Sequence, residues 1–227
     1  MVRLHPFLLA SLLLVAAALP GATRTLLCLG DSLTAGYGLD EHQAWPALLQ
    51  ARLDHERLDW RVINAGVSGD TTAGARRRLD WLLKTRPTAA FVCLGGNDGL
   101  RGVDLGVTEA NLNAIVGRLK RAGAVVWLGG MDLPVNLGPD YRAAFRELFP
   151  RVARTQGVEL FPFLLKDVAG RPELNLADGI HPTAEGHAIV ARNLADFLLP
   201  RLRAFKDAPD AVPVPPRVLR RRSDLGA

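Results

Sequence analysis

Five short apolar runs, each followed by a stretch with helical spacing, constrain this chain more than any other feature. The runs are Thr25–Leu29, Arg61–Asn64, Ala89–Leu94, Val125–Leu128 and Val158–Phe161. They are nearly unbroken rather than alternating, as strands covered on both faces are. Between them Leu112, Ile115, Val116 and Leu119 mark one helical face, behind a cap expected at Thr108. Trp45-Pro46 is expected to open the first helix, since proline at a first turn forfeits no hydrogen bond. Phe145, Leu148, Phe149 and Val152 mark another helix, with Pro150 kinking it. A final helix is expected from Thr183 to Leu199, stopped by Pro200. Alternating strands and helices joined by right-handed crossovers give an α/β chain: a three-layer α/β/α sandwich on a five-stranded parallel sheet. A hydrophobic share of 48% with 22% charged residues supplies one ordinary core for it.

The ends differ from this body. Arg3 and His5 precede an uncharged run from Phe7 to Leu19, and small residues follow to Ala22. As a helix that run reaches about 20 Å, short of a bilayer core of about 30 Å. Residues 1–22 are therefore expected to be a secretory signal peptide, cleaved after Ala18 or Ala22, and the chain periplasmic or secreted, without a stable span after cleavage. An uncleaved anchor and a buried first helix are the alternatives. Residues 23–204 form the expected domain. Residues 205–227 are rich in Pro and Arg, offer little to bury, and are expected to be a disordered, solvated tail.

The net charge of +5 does not mark a nucleic-acid binder. Arg3, and the excess of Lys206, Arg217, Arg220, Arg221 and Arg222 over the tail's three aspartates, account for more than half of it. Arg76-Arg77-Arg78 reads as a solvated helix face, and no basic stripe interleaved with aromatics accompanies it. No Gly-x-Gly-x-x-Gly opens a helix, so a nucleotide- or flavin-binding reading lacks its phosphate loop.

In parallel α/β sheets, chemistry collects beyond the carboxyl ends of the strands. Three of those ends carry Gly30-Asp31-Ser32-Leu33, Asn64-Ala65-Gly66-Val67-Ser68-Gly69-Asp70-Thr71 and Gly95-Gly96-Asn97-Asp98, and Asp178-Gly179-Ile180-His181-Pro182 follows the fifth. Taken singly they are weak signals, because a serine after a strand is more often a helix cap than a nucleophile. Together they hold the parts for acyl transfer. Ser32 needs a base to take its proton. His181 is the only histidine at a strand-end loop with a carboxylate beside it, and Asp178 can fold back on Nδ1, with Gly179 relieving the turn. An oxyanion needs N–H donors, which Ser32, Asn97 and a glycine, Gly66 or Gly69, can offer. Asn64 and Gly66 read as turn formers, and Asp31, Asp70 and Asp98 as caps or braces. No metal is expected, since Asp178 and His181 lack His or Cys neighbours at ligand spacing.

These blocks, in this order, resemble the SGNH (GDSL) hydrolases. The carriers are Leu29-Gly-Asp-Ser-Leu-Thr-Ala-Gly-Tyr37, Ala44-Trp-Pro-Ala-Leu-Leu49, Ser68-Gly-Asp-Thr71, Gly95-Gly-Asn-Asp-Gly-Leu-Arg-Gly102 and Asp178-Gly-Ile-His-Pro182. The resemblance runs from about Leu26 to Leu199. It implies a flavodoxin-like fold, a Ser32–His181–Asp178 triad and an oxyanion hole of Ser32, Gly69 and Asn97, which selects Gly69 over Gly66. Within the family it points to exported thioesterases, lysophospholipases and arylesterases. It therefore implies a small acyl ester or thioester substrate, no cofactor, and a monomer. The alternatives are a carbohydrate O-deacetylase and a non-catalytic lipid-binding relative on the same fold.

Two further expectations concern the surroundings. Leu100, Met131, Leu133, Pro134, Val135 and Leu137 lie on loops after the third and fourth strands, where they either line an acyl groove or pack the loops. Cys28 and Cys93 fall on neighbouring strands. Side chains of parallel neighbours point the same way, which suits a disulfide poorly, so two buried thiols are expected.

Overall fold

The computed structural model describes residues 23–205; the expected signal peptide and nearly all of the expected tail lie outside them. Five strands, β1 (Arg24–Gly30), β2 (Trp60–Gly66), β3 (Ala89–Cys93), β4 (Val125–Gly129) and β5 (Glu159–Phe161), form one parallel sheet in the order β2-β1-β3-β4-β5. Burial explains their composition. The inner strands β1 and β3 are covered on both faces and read Leu-Leu-Cys-Leu and Ala-Ala-Phe-Val-Cys, whereas the edge strand β2 carries exposed Arg61.

Seven helices connect and cover the sheet: α1 (Ser32–Ala35), α2 (Trp45–His55), α3 (Thr72–Leu83), α4 (Gly96–Leu100), α5 (Leu105–Arg121), α6 (Pro139–Gln156) and α7 (Ala184–Ala204). Helix α2 packs on α7, while α3 packs on α5 and α5 on α6, giving the three expected layers. Trp45-Pro46 does open α2, although the one-turn α1 precedes it.

Three local expectations are corrected. Helix α5 begins four residues before the expected start: its cap is Asp104, which accepts the Val107 N–H (3.0 Å). Thr108 instead turns its hydroxyl inward, donating to the Asp104 carbonyl at 3.2 Å. Pro200 does not stop α7, which continues to Ala204. The carbonyl that loses its partner is that of Asp196, and Asp196 and Pro200 are both exposed, so water can serve it. The extra turn buries Leu202 completely and sets Phe205 edge-on against Trp60, centroids 5.1 Å apart. Arg78 is not part of a solvated face. Its Nε donates to Asp70 Oδ2 (2.7 Å) and its Nη2 to the Gly30 carbonyl (3.0 Å), while Arg76 and Arg77 remain exposed.

The register fixes where chemistry can gather. Gly30 lies level with Gly66 on one side and Cys93 on the other, so the loops after β1, β2 and β3 leave the sheet together. The chain leaves β1 outward to β2 and returns across it to β3, which makes the β1–β3 boundary the switch point. Cys28 faces Phe91 in this register, two residues from Cys93, and both thiols are free and buried.

Candidate active site

Ser32 opens α1, the tight turn that follows β1. Asp31 accepts the Leu33 N–H (3.0 Å), and Gly36, at φ 82°, closes the turn in the left-handed region. Three of the strand-end groups converge here in a line. Ser32 Oγ lies 2.9 Å from His181 Nε2, and His181 Nδ1 lies 2.7 Å from Asp178 Oδ2. The loop bearing His181 and Asp178 is pinned by the Leu176 N–H to the His181 carbonyl (2.7 Å) and turned by Gly179 at φ 73°. Asp178 Oδ1 also accepts the N–H groups of Ile180 and His181, each at 3.0 Å. Partial burial pushes the Asp178 carboxyl up. The His181 ring, those two N–H groups and the His181 charge together outweigh it and hold the carboxyl at about 2. An ionised carboxylate only accepts, so Nδ1 carries the proton and Nε2 is left to accept from the Ser32 hydroxyl.

The expected oxyanion donors occupy the neighbouring strand ends. Asn97 sits in the first turn of α4 and, with Ser32 and His181, lines the same cleft. Its Nδ2 is 3.4 Å from Asp31 Oδ2. Gly69, at φ 76°, directs its carbonyl to Arg101 Nη2 (3.0 Å), and its N–H has no acceptor among the described residues. Gly66 is used differently: a β-carbon there would come within 2.2 Å of the Ala35 amide nitrogen, so it serves the packing of α1 on β2. Asn64, expected in a turn, lies instead within β2, where its side chain accepts the Gly66 N–H (3.0 Å). The other aspartates brace as expected. Asp70 holds Arg78, and Asp98 binds both the N–H (2.9 Å) and hydroxyl (2.5 Å) of Thr72, tying the loop of Asn97 to the start of α3.

The cleft has a volume of about 560 Å³. Leu100, Met131, Leu133, Pro134 and Val135 all line it; Leu137 does not, and packs against the core instead. Leu133 does both jobs, being 4% exposed and crowding Gly99. The sequence reading missed part of the wall. Phe163, Leu165 and Ala169, on the segment after β5, add an apolar wall, and Asp132, Arg142 and Asn175 add polar side chains. Tyr37 was also missed; its ring lies 4.5 Å from that of His181, tilted by 38°. A search of every strand-end loop for apolar residues finds the first three, whereas Tyr37, although it ends the Leu29–Tyr37 block, carries no local sign of its stacking on His181.

A flavodoxin-like parallel sheet with a hydrogen-bonded Ser–His–Asp series at its switch point defines a class of hydrolytic enzymes. The chain belongs to the GDSL-like lipase/acylhydrolase family, whose model matches residues 28–189. It is 42% identical over 192 residues to esterase TesA of Pseudomonas aeruginosa, covering 84% of this chain and 96% of that protein. It is 41% identical over 196 residues to thioesterase 1/protease 1/lysophospholipase L1 of Escherichia coli K12, covering 86% and 91%. The crystal structure of TesA superposes with a TM-score of 0.76 at 43% identity, over 78% of this chain and 99% of that one.

Proposed function

We propose that this chain is an exported serine hydrolase that cleaves carboxylic esters and thioesters through an acyl-enzyme. The observation that carries the reading is the unbroken series from Asp178 through His181 to Ser32, at 2.7 and 2.9 Å. As the Ser32 oxygen attacks the acyl carbonyl, its proton passes to His181 Nε2, and Asp178 stabilises the imidazolium that forms. The tetrahedral oxyanion is held by the N–H groups of Ser32 and Gly69 and the Asn97 amide. His181 then protonates the departing alcohol or thiol. Water, activated by the same imidazole, releases the acid. The apolar walls of the cleft suit an acyl chain and disfavour a polar saccharide, which argues against a deacetylase. Names of the relatives include esterase, thioesterase and lysophospholipase, and their chemistry suits this cleft.

A panel of p-nitrophenyl esters, acyl-CoA thioesters and lysophospholipids, run beside Ser32→Ala, tests the reading. Hydrolysis of the first two classes should be lost in the variant; hydrolysis that survives Ser32→Ala overturns it. Export rests on residues 1–22 of the sequence, and is checked by the mass of periplasmic protein, expected to begin after Ala18 or Ala22.

A further inference from the structure

The Ser32–His181–Asp178 series leaves one buried carboxylate beside it unused. Asp31 is 2% exposed and directly precedes Ser32. Its Oδ1 accepts the Leu33 N–H (3.0 Å) and its Oδ2 faces Asn97 Nδ2 at 3.4 Å.

An oxyanion hole poses a specific problem for asparagine. The two ends of its amide are nearly the same size, yet only the NH2 end stabilises a negative oxygen, and the carbonyl end repels it. Something must choose. Asp31 is the only side chain among the described residues that hydrogen-bonds the Asn97 amide. An ionised carboxylate accepts and cannot donate, so it rewards the NH2 end and penalises the carbonyl end.

We propose that Asp31 is a positioning residue that fixes the orientation of the Asn97 amide, so that one N–H binds Asp31 while the other is presented to the substrate oxygen. The proposal rests on the reading of Ser32 and Asn97 as hydrolytic machinery. Its electrostatics support a second consequence. Burial lifts the Asp31 carboxyl to about 6, against the lowering by the Leu33 N–H, His181, its own N–H and the Asn97 amide. The titratable groups that face it are His181 and Cys93, and burial keeps the Cys93 thiol protonated. In acid, Asp31 gains an O–H donor, the preference for one end of the amide is lost, and turnover falls.

The test is a double-mutant cycle on p-nitrophenyl butyrate. Asp31→Asn is the informative variant because its carbonyl can still cap Leu33, which leaves an NH2 facing Asn97 and favours the wrong end. Expected are a loss of about 10²–10³ in kcat for Asn97→Ala, a loss of at least about tenfold for Asp31→Asn with KM little changed, and no further loss in the double variant. Additive losses, or an unchanged kcat in Asp31→Asn, overturn the proposal. If Asn97→Ala or Ser32→Ala retains full turnover, the hydrolytic reading itself fails. Side-chain NMR of the unmodified protein guards against a variant that does not fold. The Asn97 NH2 signals should shift between pH 5 and 7, and a flat response overturns the proposal.

Discussion

At the scale of single residues, two buried groups give the stability of this fold opposing responses to acid. His187 on α7 is 1% exposed, and its Nδ1 accepts the Trp45 N–H (3.1 Å) at the start of α2. Ala44, the residue before that helix, has no side chain to do so, and the cap arrives from 142 residues away. Protonating Nδ1 would turn the acceptor into a donor aimed at another donor. Burial, aided by the charge of His181, accordingly lowers the His187 pKa to about 4. A histidine with a depressed folded pKa contributes stability that is complete above the unfolded value of about 6.5 and is lost as pH falls towards 4. Asp31 runs the other way, because a carboxyl raised to about 6 is more readily protonated in the folded state, and stability rises as pH falls from about 6 towards 4. The two offset each other over the same range. Relative to the unmodified protein, His187→Asn, which retains an acceptor, should gain stability as pH falls from 6.5 to 4. Asp31→Asn should lose it over about pH 6 to 4. Denaturant midpoints measured at each pH check both signs, and parallel curves for all three proteins exclude this account. Neither group was legible as such. His187 looked like one more helix residue, since its partner lies 142 positions away, whereas Asp178 and His181 stand three apart and declared themselves.

At the scale of elements, local signals were reliable where packing agreed with them. All five strands were legible because apolar runs at β1 and β3 reflect burial on both faces, and even the edge strand β2 kept enough of the pattern. Boundaries failed where a distant contact outweighed a local preference. Pro200 is a helix breaker by itself, yet Leu202 finds a buried position, and Phe205 a partly buried one against Trp60, only if α7 continues past it. Proline inside a helix costs about 3 kcal/mol relative to alanine, and a fully buried leucine is worth about 2–5 kcal/mol against alanine. The comparison yields a paired prediction. Leu202→Ala should lower unfolding free energy by about 2–5 kcal/mol, while Pro200→Ala should raise it by up to about 3 kcal/mol. If Leu202→Ala is neutral in chemical denaturation, the last turn of α7 is not held by the core. Thr108 illustrates the same competition. It has the chemistry of a cap, but Asp104 stands one turn earlier, and the Thr108 hydroxyl is more useful inside, beside Asp98 and Asp104.

At the scale of the whole molecule, the cleft is the product of four strand ends rather than of any one segment. The loops after β1 and β3 bring Ser32 and Asn97, the loop after β4 brings Met131 to Val135, and the segment after β5 brings Phe163, Leu165, Ala169 and finally His181. Ser32, Asn97 and His181 were legible because each follows a strand and has a chemical partner to justify it, whereas Asp132, Arg142 and Asn175, which also line the cleft, carry no such signal. The apolar wall was only half visible, since a leucine that packs a loop and one that lines a cleft look alike, and Leu133 does both. Val135 separates these roles. It lines the cleft yet is 79% exposed, so enlarging it should leave the core undisturbed while narrowing the space for an acyl chain. Leu133, crowded against Gly99, is less suitable, because added bulk there would strain the packing of α4. Each methylene that loses its apolar contact forfeits roughly 0.8 kcal/mol, close to a fourfold change in rate per methylene. Val135→Trp should therefore reduce kcat/KM on long-chain p-nitrophenyl esters while short-chain esters such as the acetate change little. Equal relative rates across the series, with the thermal midpoint unchanged, would exclude Val135 from the acyl groove and leave the acyl chain to the wall built after β5.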